Sequence, residues 1–188
     1  MVKARRKARA IALQVLYELD CTRHELEDTL AHHSEEVALD AGVQDFARTL
    51  VLGVWPARNR LDRAIHKQAP QWPLRDMASI DLNILRIALW EVGVQQTTPV
   101  KVIINEAVEL AKKYGSDSTA KFVNGVLGTI ADNLTALRAE LAVLAPAARA
   151  LRSATTDGHF GHWWLGATPN NDHCHGGSRS RAHAQKFF

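Results

Sequence analysis

The chain has 188 residues and a mass of 20.8 kDa, enough for one well-packed domain or two small subdomains sharing a core. Hydrophobic residues at 46% and charged residues at 23% exclude wholesale disorder. The net charge of +3, with a pI near 9.0, permits an anionic partner without demanding one.

Two cysteines, Cys21 and Cys174, make no disulfide framework, and a reducing cytoplasm fits them best. The basic start is not a membrane span, because Glu18 and Asp20 interrupt the apolar run that follows it after about a dozen residues. An unexported protein with no membrane segment is expected.

Residues 3–20 read as the first helix. Ala8, Ile11, Ala12, Val15, Leu16 and Leu19 recur at helical spacing and face a core. Lys3, Arg6, Lys7, Gln14 and Tyr17 project to the opposite side, with Arg5 and Arg9 flanking the apolar stripe. Cations beside a hydroxylated aromatic suit a nucleic-acid backbone, since they neutralise phosphates while Tyr17 stacks or donates. A solvated basic helix start is an equally ordinary reading. Clustering in the first turn favours function mildly, because cations there oppose the helix dipole.

Residues 24–36 suggest a short acidic helix carrying Leu26 and Leu30. His24, His32 and His33 lack metal-ligand spacing and read as surface histidines. Residues 40–55 predict a third helix, which Pro56 should break or kink before a fourth built on Leu61, Ala64 and Ile65. The run Gln68-Ala69-Pro70-Gln71-Trp72-Pro73 is the clearest internal punctuation. It places the organisation at 1–72, 73–145 and a low-order tail from 146.

Residues 76–94 predict another helix, with Ile80, Ile84, Ile87, Ala88 and Glu91 on one face. Arg86 amid these apolar residues should sit at the edge of the core with a partner. Residues 98–125 predict a helical hairpin. Thr98 caps the first helix, Pro99 occupies its first position, and Gly115 ends it in a left-handed conformation. Glu106 and Glu109 share a face with lysines beside them and read as surface ion pairs. Ser116 or Ser118 caps the second helix, which carries Lys121, Phe122, Val123, Val126, Leu127 and Ile130. Leu134, Leu137, Leu141 and Leu144 extend the same spacing, so this helix should run to about Ala145 and stop at Pro146.

From Ser153 onward the chain is rich in Gly, His, Asn and Ser with no helical or alternating period. Asp172-His173-Cys174-His175 would be a poor tetrahedral set, so no metal is assigned. No Gly-rich phosphate loop, HExxH or GxSxG occurs, so neither an enzyme nor a cofactor is expected. The residues describe an all-α binding protein with one basic, nucleic-acid-contacting end.

Three separated motifs carry a resemblance. They are Arg5-Arg6-Lys7-Ala8-Arg9 leading to Ala12-Leu13-Gln14-Val15-Leu16-Tyr17; Ile84-Leu85-Arg86-Ile87-Ala88-Leu89-Trp90-Glu91; and Val100-Lys101-Val102-Ile103-Ile104-Asn105-Glu106-Ala107 followed by Lys121-Phe122-Val123-Asn124-Gly125. In order and spacing this resembles the NusB family of bacterial transcription antitermination factors, across residues 3 to 135.

The resemblance implies a NusB-like helical bundle of two three-helix-type subdomains. It implies binding to the boxA element of ribosomal RNA transcripts together with NusE, which is also a small-subunit ribosomal protein, and action on elongating RNA polymerase. Carried over residue by residue, it implies RNA contacts at Arg5, Arg6, Lys7, Arg9, Lys121 and Phe122, and partner contacts at Tyr17 and Asp81. Phe122 is equally readable as core. Leu82 departs from the basic residue many relatives carry there. Homodimers occur among such proteins. Two rivals remain: an accessory module of a ribosomal RNA methyltransferase, disfavoured by the missing glycine loop, and a helical adaptor without RNA specificity.

Overall fold

A computed structural model describes residues 2–35 and 40–157; the Trp163-Trp164 pair, the 172–175 tract and the terminal Phe187-Phe188 lie outside the described residues. The α-helices of the described residues are α1 (Val2–Cys21), α2 (Leu26–Glu35), α3 (Ala41–Gln68), α4 (Ser79–Leu89), α5 (Val100–Tyr114), α6 (Thr119–Asp132), α7 (Leu134–Leu141) and α8 (Ala145–Asp157), and no strand occurs among those residues. A 3-10 turn, Leu74–Asp76, precedes α4, and a π-helical segment, Trp90–Gln95, prolongs it. That segment ends at Gln96, whose left-handed backbone (φ 52°) lets its N–H donate to the Glu91 carbonyl. No helix among the described residues is long and apolar enough to cross a membrane.

Helices α1, α3 and α4 pack against one another, α2 covers α1, and α5 and α6 form a hairpin against α4. The face Ala8, Ile11, Ala12, Val15, Leu16 and Leu19 is buried as its spacing requires. These residues join Leu50, Leu61, Ile65, Ile84, Leu89, Ile103 and Leu127 in one continuous hydrophobic cluster. Leu82 is buried too, so its side chain adds to the core rather than to a charged face.

Pro56 does not break the third helix: α3 runs unbroken through it. Val43, Ala47, Leu50, Val51 and Val54 form an apolar stripe that continues beyond the proline as Ala57, Leu61, Ala64 and Ile65, all buried. Each such aliphatic side chain contributes ~1.5–3 kcal/mol on burial. Several of them on both sides outweigh the roughly 3 kcal/mol that an internal proline costs. Pro56 itself is exposed, so its ring displaces no core side chain.

The end of the chain also departs from expectation. Helix α6 closes at Asn133, whose non-helical backbone (φ −108°, ψ 23°) separates it from α7. Pro146 starts a helix rather than ending one. It lies in the first turn of α8, where its missing N–H would have had no helical partner. Ala148 and Leu151 are buried, and α8 packs on α3.

The hairpin between α5 and α6 is built differently from its sequence reading. Pro99 takes the N-cap position of α5, and the Thr98 hydroxyl accepts a hydrogen bond from Arg5 instead of capping. Gly115 has φ −85°, not a left-handed value. Its lack of a side chain matters because a Cβ there would overlap the Thr119 side chain. Neither Ser116 nor Ser118 caps α6 through its side chain; the Ser116 N–H donates to Thr119 Oγ1 at 2.9 Å.

Candidate nucleic-acid interface

The first two turns of α1 lie beside α5 and the π-helical segment, and that neighbourhood sorts the cations. Lys3 and Lys7 are exposed and form no ion pair among the described residues. Arg5 is exposed, donates to Thr98 Oγ1 at 3.2 Å and lies over the Phe46 ring at 5.1 Å. Arg6 donates through Nε and Nη2 to both Glu106 oxygens at 2.9 and 2.8 Å, while 47% of its side chain stays in solvent. The hydrogen bond and charge of Glu106 raise the Arg6 pKa above its ordinary value.

Arg9 differs from the rest. It is 3% exposed and donates to both Glu91 oxygens at 2.7 and 2.8 Å. Glu106 lies 3.9 Å from its Nη1, and its guanidinium also approaches Phe46, at 5.4 Å. Burial removes Arg9 from the surface its sequence position suggested. Glu106 likewise is buried, not half of a surface pair.

Sequence reading missed Glu91, Glu106 and Phe46 as the supports of this surface. A signal existed. Glu91 continues the apolar face of α4, and Glu106 lies three and four positions from the buried Ile103 and Leu110. A carboxylate on a buried face requires a cation.

Arg86 is paired, as expected, but it is interior rather than at the edge, with 4% of its side chain exposed. Its Nε and Nη2 donate to the two Asp62 oxygens at 2.7 Å each, and Nη1 donates to Asp20 at 2.7 Å and Asn83 at 3.0 Å. Burial works against the charge, but Asp62 and Asp20 outweigh it and raise the Arg86 pKa. This network ties the C-terminal end of α1 to α3 and α4.

The second group of candidate residues lies where α4 and α6 begin. Lys121 is exposed in the first turn of α6. Phe122 is half-buried, packs against the core and meets the exposed Trp72 with ring centroids 5.4 Å apart at 67°. Asp81 accepts a hydrogen bond from Thr119 Oγ1 at 2.9 Å, so it shares this corner. Tyr17 is half-buried on α1, 11 residues beyond Arg6, or about 16 Å along the axis at 1.5 Å per residue. The structure thus gathers Arg5, Arg6 and Arg9 around α5, and Asp81, Lys121 and Phe122 around the start of α6. Helix α5 joins the groups, because it packs on α6 and holds Glu106 under Arg6.

The molecule is a small all-helical binding protein that presents cations at a helix start, a surface suited to phosphates rather than to catalysis. Comparison with known proteins points to one family. The profile of the NusB family matches residues 6–132. The transcription antitermination protein NusB of Roseiflexus sp. (strain RS-1) is 51% identical over 132 residues, covering 69% of this chain and 93% of the relative. Among solved structures, T. maritima NusB superposes with a TM-score of 0.64 at 32% identity, covering 68% of this chain and 90% of that one. NusB in a crystal structure of the antitermination factors NusB and NusE in complex with dsRNA superposes with a TM-score of 0.63 at 26% identity, covering 69% and 97%. The chain belongs to the NusB family of transcription antitermination proteins, and it is not an enzyme.

Proposed function

We propose that this chain binds boxA-type single-stranded RNA of ribosomal RNA transcripts together with a NusE-type ribosomal protein. The pair then joins elongating RNA polymerase in the cytoplasm and suppresses termination. The observation that carries this reading is the group of exposed cations, Arg5, Arg6 and Lys7 with Lys3, held at the start of α1 against the helix dipole. The complex of related NusB with NusE and dsRNA supports RNA and a NusE-type protein as the partner classes.

In this reading Arg5, Arg6 and Lys7 contact phosphates, which supply affinity without sequence information. Lys121 and Phe122 meet an unstacked base, where sequence can be read. Tyr17 and Asp81 belong to the NusE-type partner's face. Arg9 supports the surface from beneath, because both Glu91 oxygens occupy its guanidinium.

Two substitutions separate contact from support. Lys7→Ala should lower the salt slope of RNA binding by about 0.7, the single-strand value for one lost phosphate contact. Arg9→Gln removes the charge that answers Glu91, so it should lower the melting temperature and leave the slope unchanged. A variant with the wild-type melting temperature and a slope smaller by about 0.7 would return Arg9 to the RNA surface.

A further inference from the structure

We infer that Trp72 and Phe122 form a two-ring seat for one unstacked base of single-stranded RNA, with Lys121 neutralising the phosphate beside it. The inference rests on the RNA-binding reading above and adds Trp72 to it. Trp72 is 51% exposed, the one aromatic among the three exposed large hydrophobic residues of the described part. Its contact with Phe122 is edge to face, at 5.4 Å and 67°. Such a contact sets one ring's edge against one face of the other, so Trp72 keeps at least one π-face clear of Phe122.

Two features select a base over a protein side chain as the occupant. The ring pair adjoins Lys121, an exposed cation with no ion pair among the described residues. Aromatic faces beside an unpaired cation are the combination that single-stranded nucleic acids use, a base on the ring and a phosphate on the charge. The backbone that presents the indole is also held in place. Pro70 and Pro73 flank Trp72 in sequence, and its backbone N–H donates to the Ala69 carbonyl at 3.0 Å, closing a turn. A backbone fixed in advance loses less entropy on binding.

The test combines affinity with contact mapping on the full chain. Trp72→Ala should weaken binding to a labelled boxA-type RNA by roughly 5- to 150-fold, the range for one lost base stack, with no change in salt slope. Trp72→Phe should recover most of that loss. RNA substituted with 5-iodouridine should photo-crosslink to Trp72 of the unmodified protein, located by peptide mass spectrometry, a readout that a purely structural role would not give. Wild-type affinity in Trp72→Ala, or a loss confined to binding of the NusE-type partner, would overturn the inference and leave the RNA-binding reading intact. An unmodified chain that binds no RNA, with or without partner, would overturn both.

Discussion

Arg6 and Arg9 stand three positions apart on one helix and do different work. Arg6 meets a buried carboxylate while half its side chain stays in water; Arg9 is enclosed with both Glu91 oxygens on its guanidinium. The distinction comes from what lies opposite on α5 and the π-helical segment, not from α1. Arg86 takes enclosure furthest, with Asp62, Asp20 and Asn83 accepting from all three of its nitrogens. Arg86→Met preserves most of the stem volume but leaves Asp62 buried without a cation. It should destabilise the protein by about 3–5 kcal/mol in urea unfolding, the cost of breaking a buried pair by removing one partner. A loss under 1 kcal/mol would mean that Asp62 reaches solvent or another cation. Sequence alone marked Arg86 as needing a partner. It could not supply Asp62, 24 positions earlier, or Asp20, 66 positions earlier.

At the scale of elements, close approach explains more than propensity does. Gly53 in α3 lies against the indole of Trp90, and a Cβ there would overlap the ring. In an exposed helix Gly→Ala gains roughly 0.5–1 kcal/mol; here overpacking at about 1–3 kcal/mol should win. Gly53→Ala is therefore expected to lower the melting temperature, and a rise would show that Trp90 can yield.

Helix α2 is tied to α1 at Glu18, which accepts from His24 Nδ1 at 2.7 Å and His33 Nε2 at 2.9 Å. Burial raises the Glu18 pKa, but the two histidine hydrogen bonds outweigh it and hold the carboxyl below its usual 4.5. A depressed carboxyl stabilises the fold above its unfolded pKa and ceases to as pH falls through the folded value. The stability difference between wild type and Glu18→Gln should therefore be full above about pH 5 and shrink below pH 4.5. A difference constant from pH 7 to 3 would contradict this.

The apolar periods of α1, α4 and α5 were legible because burial imposes them directly on the sequence. Pro56, Gly115 and Pro146 misled because each was judged by local rules, whereas the neighbouring packing or the position within a turn decided its effect.

Across the whole molecule, the basic end of α1 rests on acids from distant segments, and those segments carry the motifs that resemble the family. Glu91 lies 82 positions from Arg9, and Glu106 lies 100 from Arg6. The three motifs therefore converge on one corner: the arginine segment supplies the cations, and the other two supply the carboxylates beneath them. The all-α class, the candidate cations and the family were readable from sequence because they rest on composition, period and motif order. Which cations remain at the surface was not readable, since that depends on pairings across the folded chain. Helix α8, at residues 145–157, lies beyond residues 6–132, which the family profile matches, and packs on α3.

The central claim is that this corner selects a particular single-stranded RNA together with its protein partner. The most direct test is a fluorescence-anisotropy titration of labelled boxA-type RNA against a scrambled strand and a duplex of the same sequence. It is run with and without the NusE-type protein, at two salt concentrations. The account predicts preference for the boxA strand, strengthened by the partner and weakened by salt. Equal affinity for all three RNAs, or none even with the partner present, would contradict it.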